Sequence, residues 1–384
     1  MCLRQLIPSG AHREVGSSAQ PEHVGWELQR DADEGWAYAS RMEDNHLSKI
    51  GSQLDLLGLE ETRRMAVAGV SKPRERLRKL DQVEATHELL SALPAAEDLS
   101  FLHSGLCQTC LPHSRPAKNT AIWRRHSGRF TLIVTPGLID SSALETRIRQ
   151  PTEAETDAMY VGVPYGTKAR LILIHLQTEG LKNRIVPLGA SLSAFMRSLG
   201  VNVQGGKRGS IAPFREQCLR IACANFKLQW SEGSRLVVSD TKIVDGLELW
   251  GTKGQEGWAG SIELSSKFHE HLREHAVPLD KRAISKLSRN SLGLDLYTLL
   301  AYRLPRLSAP LHLRWSQLAS QFGADDTTKE LGRRIRDTLP QVLDVYPWAK
   351  VEVVSSGLNL HPSKPAVPKT VVNGFRLVEA GTGG

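Results

Sequence analysis

The sequence predicts an α+β, mostly helical protein with two tandem winged-helix domains preceded by a helical N-terminal region. Three observations carry this. Residues 164–239 read as helix, strand, short helix, turn, helix and two short strands. Residues 278–360 repeat that order without repeating the letters. In both segments Lys and Arg gather at the start of the third helix. A helix about 10–12 Å wide fits the major groove of duplex DNA, and a preceding helix braces it across the backbone.

The chain has 384 residues, which suits several domains rather than one core. Residues 1–45 mix Gly, Ser, Pro and charge without a sustained period and are expected to form a disordered tail. Met42 precedes EDNHLSKI, where Asn45 is placed to cap a helix, so Met42 competes with Met1 as the true start. Residues 46–95 form the helical region. Leu47, Ile50, Leu54, Leu57 and Leu59 make one apolar stripe, Ser71-Lys72-Pro73 breaks it, and Leu77, Leu80, Val83, Leu89, Leu90 and Leu93 make a second. Such stripes suit a core, or a partner-helix face that would make the chain a homodimer. Residues 96–160 hold a hairpin and a linker. Residues 129–134 are strand-like, Pro136-Gly137 turns the chain, and 140–158 are polar.

The first predicted domain spans 161–260. An apolar helix over 169–176 is stopped by Gly180, and 185–188 is a short strand. Ser191 caps a short helix closed by Gly200. A Gly-rich turn leads to a third helix with Ser210 as its cap. Strands at 226–230 and 235–239 then form the wing. Ile211, Phe214, Cys218, Ile221 and Ala222 share the inward face of the third helix. Lys207, Arg208, Arg215, Arg220 and Lys227 outnumber the one acid of this stretch, Glu216. Helix N-terminal amides favour phosphate. Lys207, Arg208 and Ser210 are therefore expected on phosphate, Arg215 and Gln217 on base edges, and Arg220 on the flank of the DNA-facing set.

The second predicted domain spans 261–368, followed by a tail over 369–384. Pro278-Leu279-Asp280 precedes one helix, and SLGLDLYTLLAYRL is the next, with Leu292, Leu296, Leu299 and Leu300 inward and Pro305 as its stop. Residues 312–314 are strand-like, 315–323 form a short helix, and 329–345 form the third helix. Residues 351–355 and 357–360 close the unit as a hairpin. Lys329, Arg333, Arg334 and Arg336 crowd the start of the third helix. Arg333 and Arg336 fall on one side of it and should approach the groove. Arg314, Ser316 and Gln317 are expected on the backbone.

The formal net charge of +8 and pI near 9.3 suit a polyanionic partner. No run of about 18 apolar residues occurs and the N-terminus has no signal-peptide pattern, so a cytoplasmic protein without a membrane partner is expected. Five scattered cysteines argue against a disulfide framework. His103, Cys107, Cys110 and His113 resemble a zinc half-knuckle, yet the second His follows Cys110 too closely and no helix places it. His269, His271 and His275 lack the carboxylate of an HExxH site. Gly200 to Arg208 mimics a Walker loop, but the spacing is one residue too long and Arg208 stands where a hydroxyl would hold magnesium. Glu270 between His269 and His271 breaks the His-hydrophobic-His pattern of a nicking initiator. No catalytic residue, metal or cofactor is therefore assigned.

One further signal comes from the wording of the chain. The motifs PYGTKARLILIHLQTEG, LGASLSAFMRSLGV, GGKRGSIAPFREQ, GSIELSSKFHEHLREHAVPLD, SLGLDLYTLLAYRL, LRWSQLASQFG and VYPWAKVEV stand in order, with LPHSRP upstream and GLNLHPSKPAV downstream. This closely resembles plasmid-encoded replication initiators of the RepA type over roughly residues 100–368. The resemblance implies binding to repeated duplex sites in a plasmid origin, local duplex opening, and recruitment of the host initiator and helicase machinery in a bacterial cytoplasm. The alternatives are a transcriptional repressor built on the same modules, or a nicking or ATP-dependent enzyme.

Overall fold

The computed structural model describes residues 49–128, 130–138, 152–232, 235–247, 261–323 and 327–372. The expected N-terminal tail, residues 373–384 and most of the 140–158 linker lie outside them. The described chain is α+β and mostly helical.

Two helices open it, α1 (Lys49–Val67) and α2 (Pro73–Ser91). Pro73 starts α2 because a first-turn proline forfeits no helix bond and its φ is already helical. The pair packs on the body of the protein. Val83, Ala85 and Thr86 of α2 are buried. Thr86 Oγ1 donates to the Asp344 carbonyl at 2.8 Å, and Arg282 reaches the carbonyl of Ala92 at 3.2 Å. Next come β1 (Leu99–His103), α3 (Ser104–Gln108), the hairpin β2 (Trp123–Ser127) and β3 (Phe130–Thr135), and α4 (Glu153–Met159). The last falls within the expected linker. Thr152 and Glu155 cap it reciprocally, each side chain meeting the other's backbone N–H.

The first unit consists of α5 (Gly166–Lys182), β4 (Ile185–Pro187), α6 (Leu192–Ser198), α7 (Ile211–Cys223), β5 (Asn225–Glu232), β6 (Arg235–Thr241), β7 (Val244–Leu247) and β8 (Ser261–Leu264). Ser191 caps α6 as expected, accepting from Ala194 N at 3.1 Å. Gly180 does not stop α5, which runs on to Lys182. A Cβ at Gly180 would lie 2.2 Å from Leu264 Cδ1, so the glycine lets β8 approach the helix.

The expected wing is also reassigned. β5 and β6 pair with each other, but β5 also pairs with β3, giving a four-stranded sheet of order β2-β3-β5-β6. The sheet that closes the first unit has the order β4-β8-β7. A hairpin has been inserted between α7 and the closing strands, and β8 carries the unit to Leu264.

The connector α8 (Ser266–His275), β9 (Ala276–Asp280) and α9 (Lys281–Leu287) leads out of the first unit, with β9 paired to β1. The second unit follows: α10 (Ser291–Arg303), β10 (Leu311–Arg314), α11 (Trp315–Phe322), α12 (Thr328–Val345), β11 (Val351–Val354) and β12 (Gly357–Leu360). Its sheet has the order β10-β12-β11. In both units, then, the first strand pairs with the last and the middle strand lies outside it.

One continuous apolar core joins the units. At its centre α5 meets α10 through Arg170 and Asp295, which are 6% and 7% exposed. Arg170 Nε and Nη2 donate to the two carboxylate oxygens at 2.7 and 2.6 Å. Nη1 donates to the carbonyls of Pro112 and Gly166, and Nη2 also to that of Leu111. All five guanidinium N–H groups are thus used. Burial pushes the Asp295 carboxyl above its ordinary value, and the guanidinium draws it back.

Replacing Asp295 by Ala strands a buried cation and should cost roughly 3–5 kcal/mol in denaturant unfolding, whereas the double change Arg170→Met/Asp295→Leu should recover much of that loss. A second test concerns Asp344, whose carboxyl burial pushes up to about 7. A raised folded-state pKa contributes stability below the unfolded value that is lost as pH rises through about 7. Asp344→Asn should therefore flatten the stability profile between the two values and stabilise the protein above the upper one, at about 1.4 kcal/mol per pKa unit as an upper bound. Urea midpoints across that range check it.

Candidate nucleic-acid interface

In each unit the third helix turns one face to the core and one outward. For α7 the buried face is Phe214, Cys218 and Ile221, as expected, with Ile211 and Ala222 half-buried. Gln217 and Arg220 lie on that side too. Gln217 is 2% exposed and its Oε1 accepts from Tyr165 N at 2.8 Å. Arg220 is 2% exposed, donates to the Val163 carbonyl at 3.0 Å, pairs with Glu216 at 2.9 Å and lies over the Tyr165 ring. Gly162, at φ 87, makes room for it, since a Cβ there would sit 2.1 Å from Arg220 Nη1. Both residues hold α7 against the strand-like segment before α5. They cannot reach a groove, and the sequence expectation for them is corrected. Charge alone misassigned them, because a buried arginine with several acceptors looks the same in sequence as an exposed one.

Ser210 does not cap α7 through its side chain. Its hydroxyl donates to the Asn202 carbonyl and accepts from Gln204 N at 3.0 Å, so it fastens the turn into the helix. The Ser210 and Ile211 amides both point to the Gln204 carbonyl, at 2.8 and 3.3 Å. Those amides are already engaged, which leaves Lys207 and Arg208, both exposed, as the cations of this turn. Arg215 is exposed on the outer face of α7, beside exposed Ala212 and half-buried Leu219 and Glu216.

The outer face of α12 is different. Leu331, Ile335, Leu339, Val342 and Val345 are buried, while Lys329, Arg333 and Arg336 are exposed along the opposite side. Thr327 and Glu330 form a capping box at its start. Arg333 pairs with Asp337 at 3.3 Å with both side chains largely exposed, a contact that competes weakly with a phosphate. Arg336 lies 4.5 Å over the Trp315 ring. Trp315 is itself fixed, its Nε1 donating to the Ser355 carbonyl at 2.8 Å. The indole therefore holds a cation between α12 and the β11–β12 turn. Arg334 is half-buried, and its charge helps hold the His113 imidazole below its ordinary value. Arg314 and Ser316 are exposed, and exposed Gln317 accepts from Arg314 N at 2.9 Å.

The residues weighed for zinc have separate commitments. Cys107 Sγ faces the Leu102 carbonyl, and Cys110 Sγ lies 3.2 Å from the Gln321 carbonyl. Burial pushes both thiols up, Cys110 to about 12. His113 bridges Ser291 and the Phe322 carbonyl, and His103 Nε2 lies 2.7 Å from His271 Nδ1. Cys110, His113 and Asp295 do cluster, but Arg170 fills the cationic position there. His271 and His275, four residues apart on α8, have ring centroids 4.3 Å apart, and His103 joins them. Among the described residues no helix is long and apolar enough to cross a membrane.

Three comparisons with known proteins bear on this chain. Residues 163–320 match the family described as plasmid encoded RepA protein, so the family resemblance stands over that span. One solved structure, titled as a crystal structure of selenomethionine derivatives of domains 2 and 3 of RctB, aligns at 10% identity and a TM-score of 0.40, covering 66% of this chain and 95% of that one. No curated protein matches.

Because Gln217 satisfies a backbone amide inside the fold, Gln217→Ala should cost about 1–3 kcal/mol of stability and leave DNA sequence preference unchanged. Thermal melts together with binding to two unrelated duplexes separate these outcomes; altered preference in a fully folded variant would return Gln217 to the interface.

Proposed function

We propose that this protein is a plasmid replication initiator whose two units are winged helices that bind duplex DNA at origin repeats. The observation that carries the reading is the shared connectivity of the two units, each with exposed cations at or just before the start of its third helix. The match of residues 163–320 to the plasmid-encoded RepA family supports the purpose. The described surface supports the manner, since a helix seated in the major groove reads bases from its exposed side while flanking cations hold phosphates.

The contacts divide between the units. In the second, Arg333 and Arg336 approach base edges, and Lys329, Arg314, Ser316 and Gln317 meet the backbone. In the first, Arg215 is the base-facing group, and Lys207 and Arg208 are phosphate-facing. The outer face of α7 is short of polar readers, so the second unit contributes more of the sequence preference. Local opening of the origin and recruitment of host initiator and helicase proteins follow from the initiator reading. The work is binding rather than catalysis, and the setting is the bacterial cytoplasm. A repressor built on the same surface would bind DNA equally well and recruit nothing.

Three measurements test this. Arg336→Ala and Arg215→Ala should each relax sequence preference and cost roughly 1–3 kcal/mol of binding, with the larger effect at Arg336, while Lys207→Ala should weaken all duplexes about equally. Affinity should fall steeply with salt, and a flat salt response would point to another partner. A plasmid carrying the flanking DNA should replicate with this gene and fail without it; replication independent of the gene would leave the repressor.

A further inference from the structure

The inserted sheet has an outer face that the DNA reading above leaves unused. β2 is its terminal strand. Register and burial divide the sheet into two faces. Trp123, Val134 and Phe226 lie side by side, as do Arg125, Leu132 and Leu228, and the apolar members of both rows are in the core apart from half-buried Trp123. The alternate rows are Arg124, Ile133 and Lys227, then His126, Thr131 and Gln229. Arg124 and His126 are exposed, and on β6 the two rows continue to Asp240 and Val238.

This strand is anchored to the second unit, not to open solvent. α11 packs against β2. Gln321, at the end of α11, donates to Ser127 Oγ at 2.5 Å. Trp123 Nε1 donates to the Cys110 carbonyl at 2.6 Å, and Cys110 Sγ returns to the Gln321 carbonyl. Arg125 stacks on Trp123 at 3.5 Å and donates to the Arg124 carbonyl, which fixes the backbone from which Arg124 projects. His113, which touches the Phe322 carbonyl, feels the charges of both Arg125 and Arg334. β2 therefore borders the end of α11, and α12 follows that end in the chain. In a helix-turn-helix the first helix crosses the DNA backbone and the second enters the major groove by its N-terminal residues, so a strand packed on the first helix flanks the backbone beside the groove.

We propose that the outer face of β2, through Arg124 with His126 beside it, is an additional phosphate-backbone contact flanking the second unit on duplex DNA. The inference rests on the DNA-binding reading of that unit. It makes β2–β3 a side wall of the interface supplied from outside the family-matched span 163–320. An exposed cation at the edge of the sheet, with the one acid of its row, Asp240, on the opposite edge strand and an immobilised backbone beneath it, suits a phosphate better than a base edge, because it reaches charge and not a donor–acceptor pattern.

The test uses the full chain with a random-sequence duplex and a duplex selected from a random pool for tight binding, each titrated over a range of salt. Circular dichroism and melting temperature control for folding. Arg124→Ala should weaken both duplexes by the same factor and lower the slope of log affinity against log salt by about one, Arg124→Glu should weaken them further, and Arg124→Lys should restore binding. Unchanged affinity and slope for Arg124→Glu, with Arg336→Ala still impaired, would overturn this contact while leaving the DNA reading intact. A change of preference between the two duplexes would overturn the backbone assignment. If neither Arg124→Glu nor Arg336→Ala affects binding, the DNA reading of the second unit falls and this contact with it.

Discussion

A single buried ion pair sets the relation between the two halves of the molecule. Arg170 and Asp295 each sit on the first helix of a unit, and the guanidinium also collects the carbonyls of Leu111, Pro112 and Gly166. A pair so far from water gains little net stability over an apolar contact, but it tolerates one geometry only. Its five directed bonds fix α5 against α10 and pin the 111–113 segment between them. That segment carries His113 to the end of α11, and so the position of the second unit's helix pair traces back to one arginine.

The two units share a plan and differ in chemistry. Each combines a third helix with a three-stranded sheet whose first and last strands pair. The outer face of α12 presents Lys329, Arg333 and Arg336, the last supported by Trp315, whereas α7 presents Arg215 beside Ala212, Leu219 and Glu216. The first unit instead gives up its exit strands. β5 and β6 leave α7, join β3 and extend a sheet whose far edge rests on α11. A sheet built from one unit and braced on the other resists hinge motion between them, because bending would break ladder bonds and core contacts together.

Much of this was legible from the chain. Helix positions followed the apolar period, and Ser191 announced its cap through a short polar side chain ahead of an apolar run. The order of elements in the second unit read directly, since its strands and helices follow one another without insertion. The first wing did not read directly. β5 and β6 have the strand composition and tight turn of a wing, and nothing local says that their partner is β3, far back along the chain. Gly180 was legible as special but not in its role, which depends on Leu264 across the fold. The site was half legible. Arg215, Arg333 and Arg336 are exposed on their helices, and Lys207 and Arg208 are exposed in the turn before α7. Gln217 and Arg220 have the same spacing logic but are captured by the fold, and Arg334 is half-buried. Arg124 lay in a segment whose only signal was a basic pair before a Ser-Gly turn.

The central claim is that two units of one plan engage duplex DNA side by side through the starts of α7 and α12. Hydroxyl-radical footprinting of the full chain on a tight-binding duplex tests it most directly, comparing the wild type with Lys207→Ala/Arg208→Ala and with Arg333→Ala/Arg336→Ala. The account predicts two protected patches about one helical turn, roughly 10 base pairs, apart, with each double variant losing its own patch first. A single patch, or one that fades equally in both variants, would contradict it.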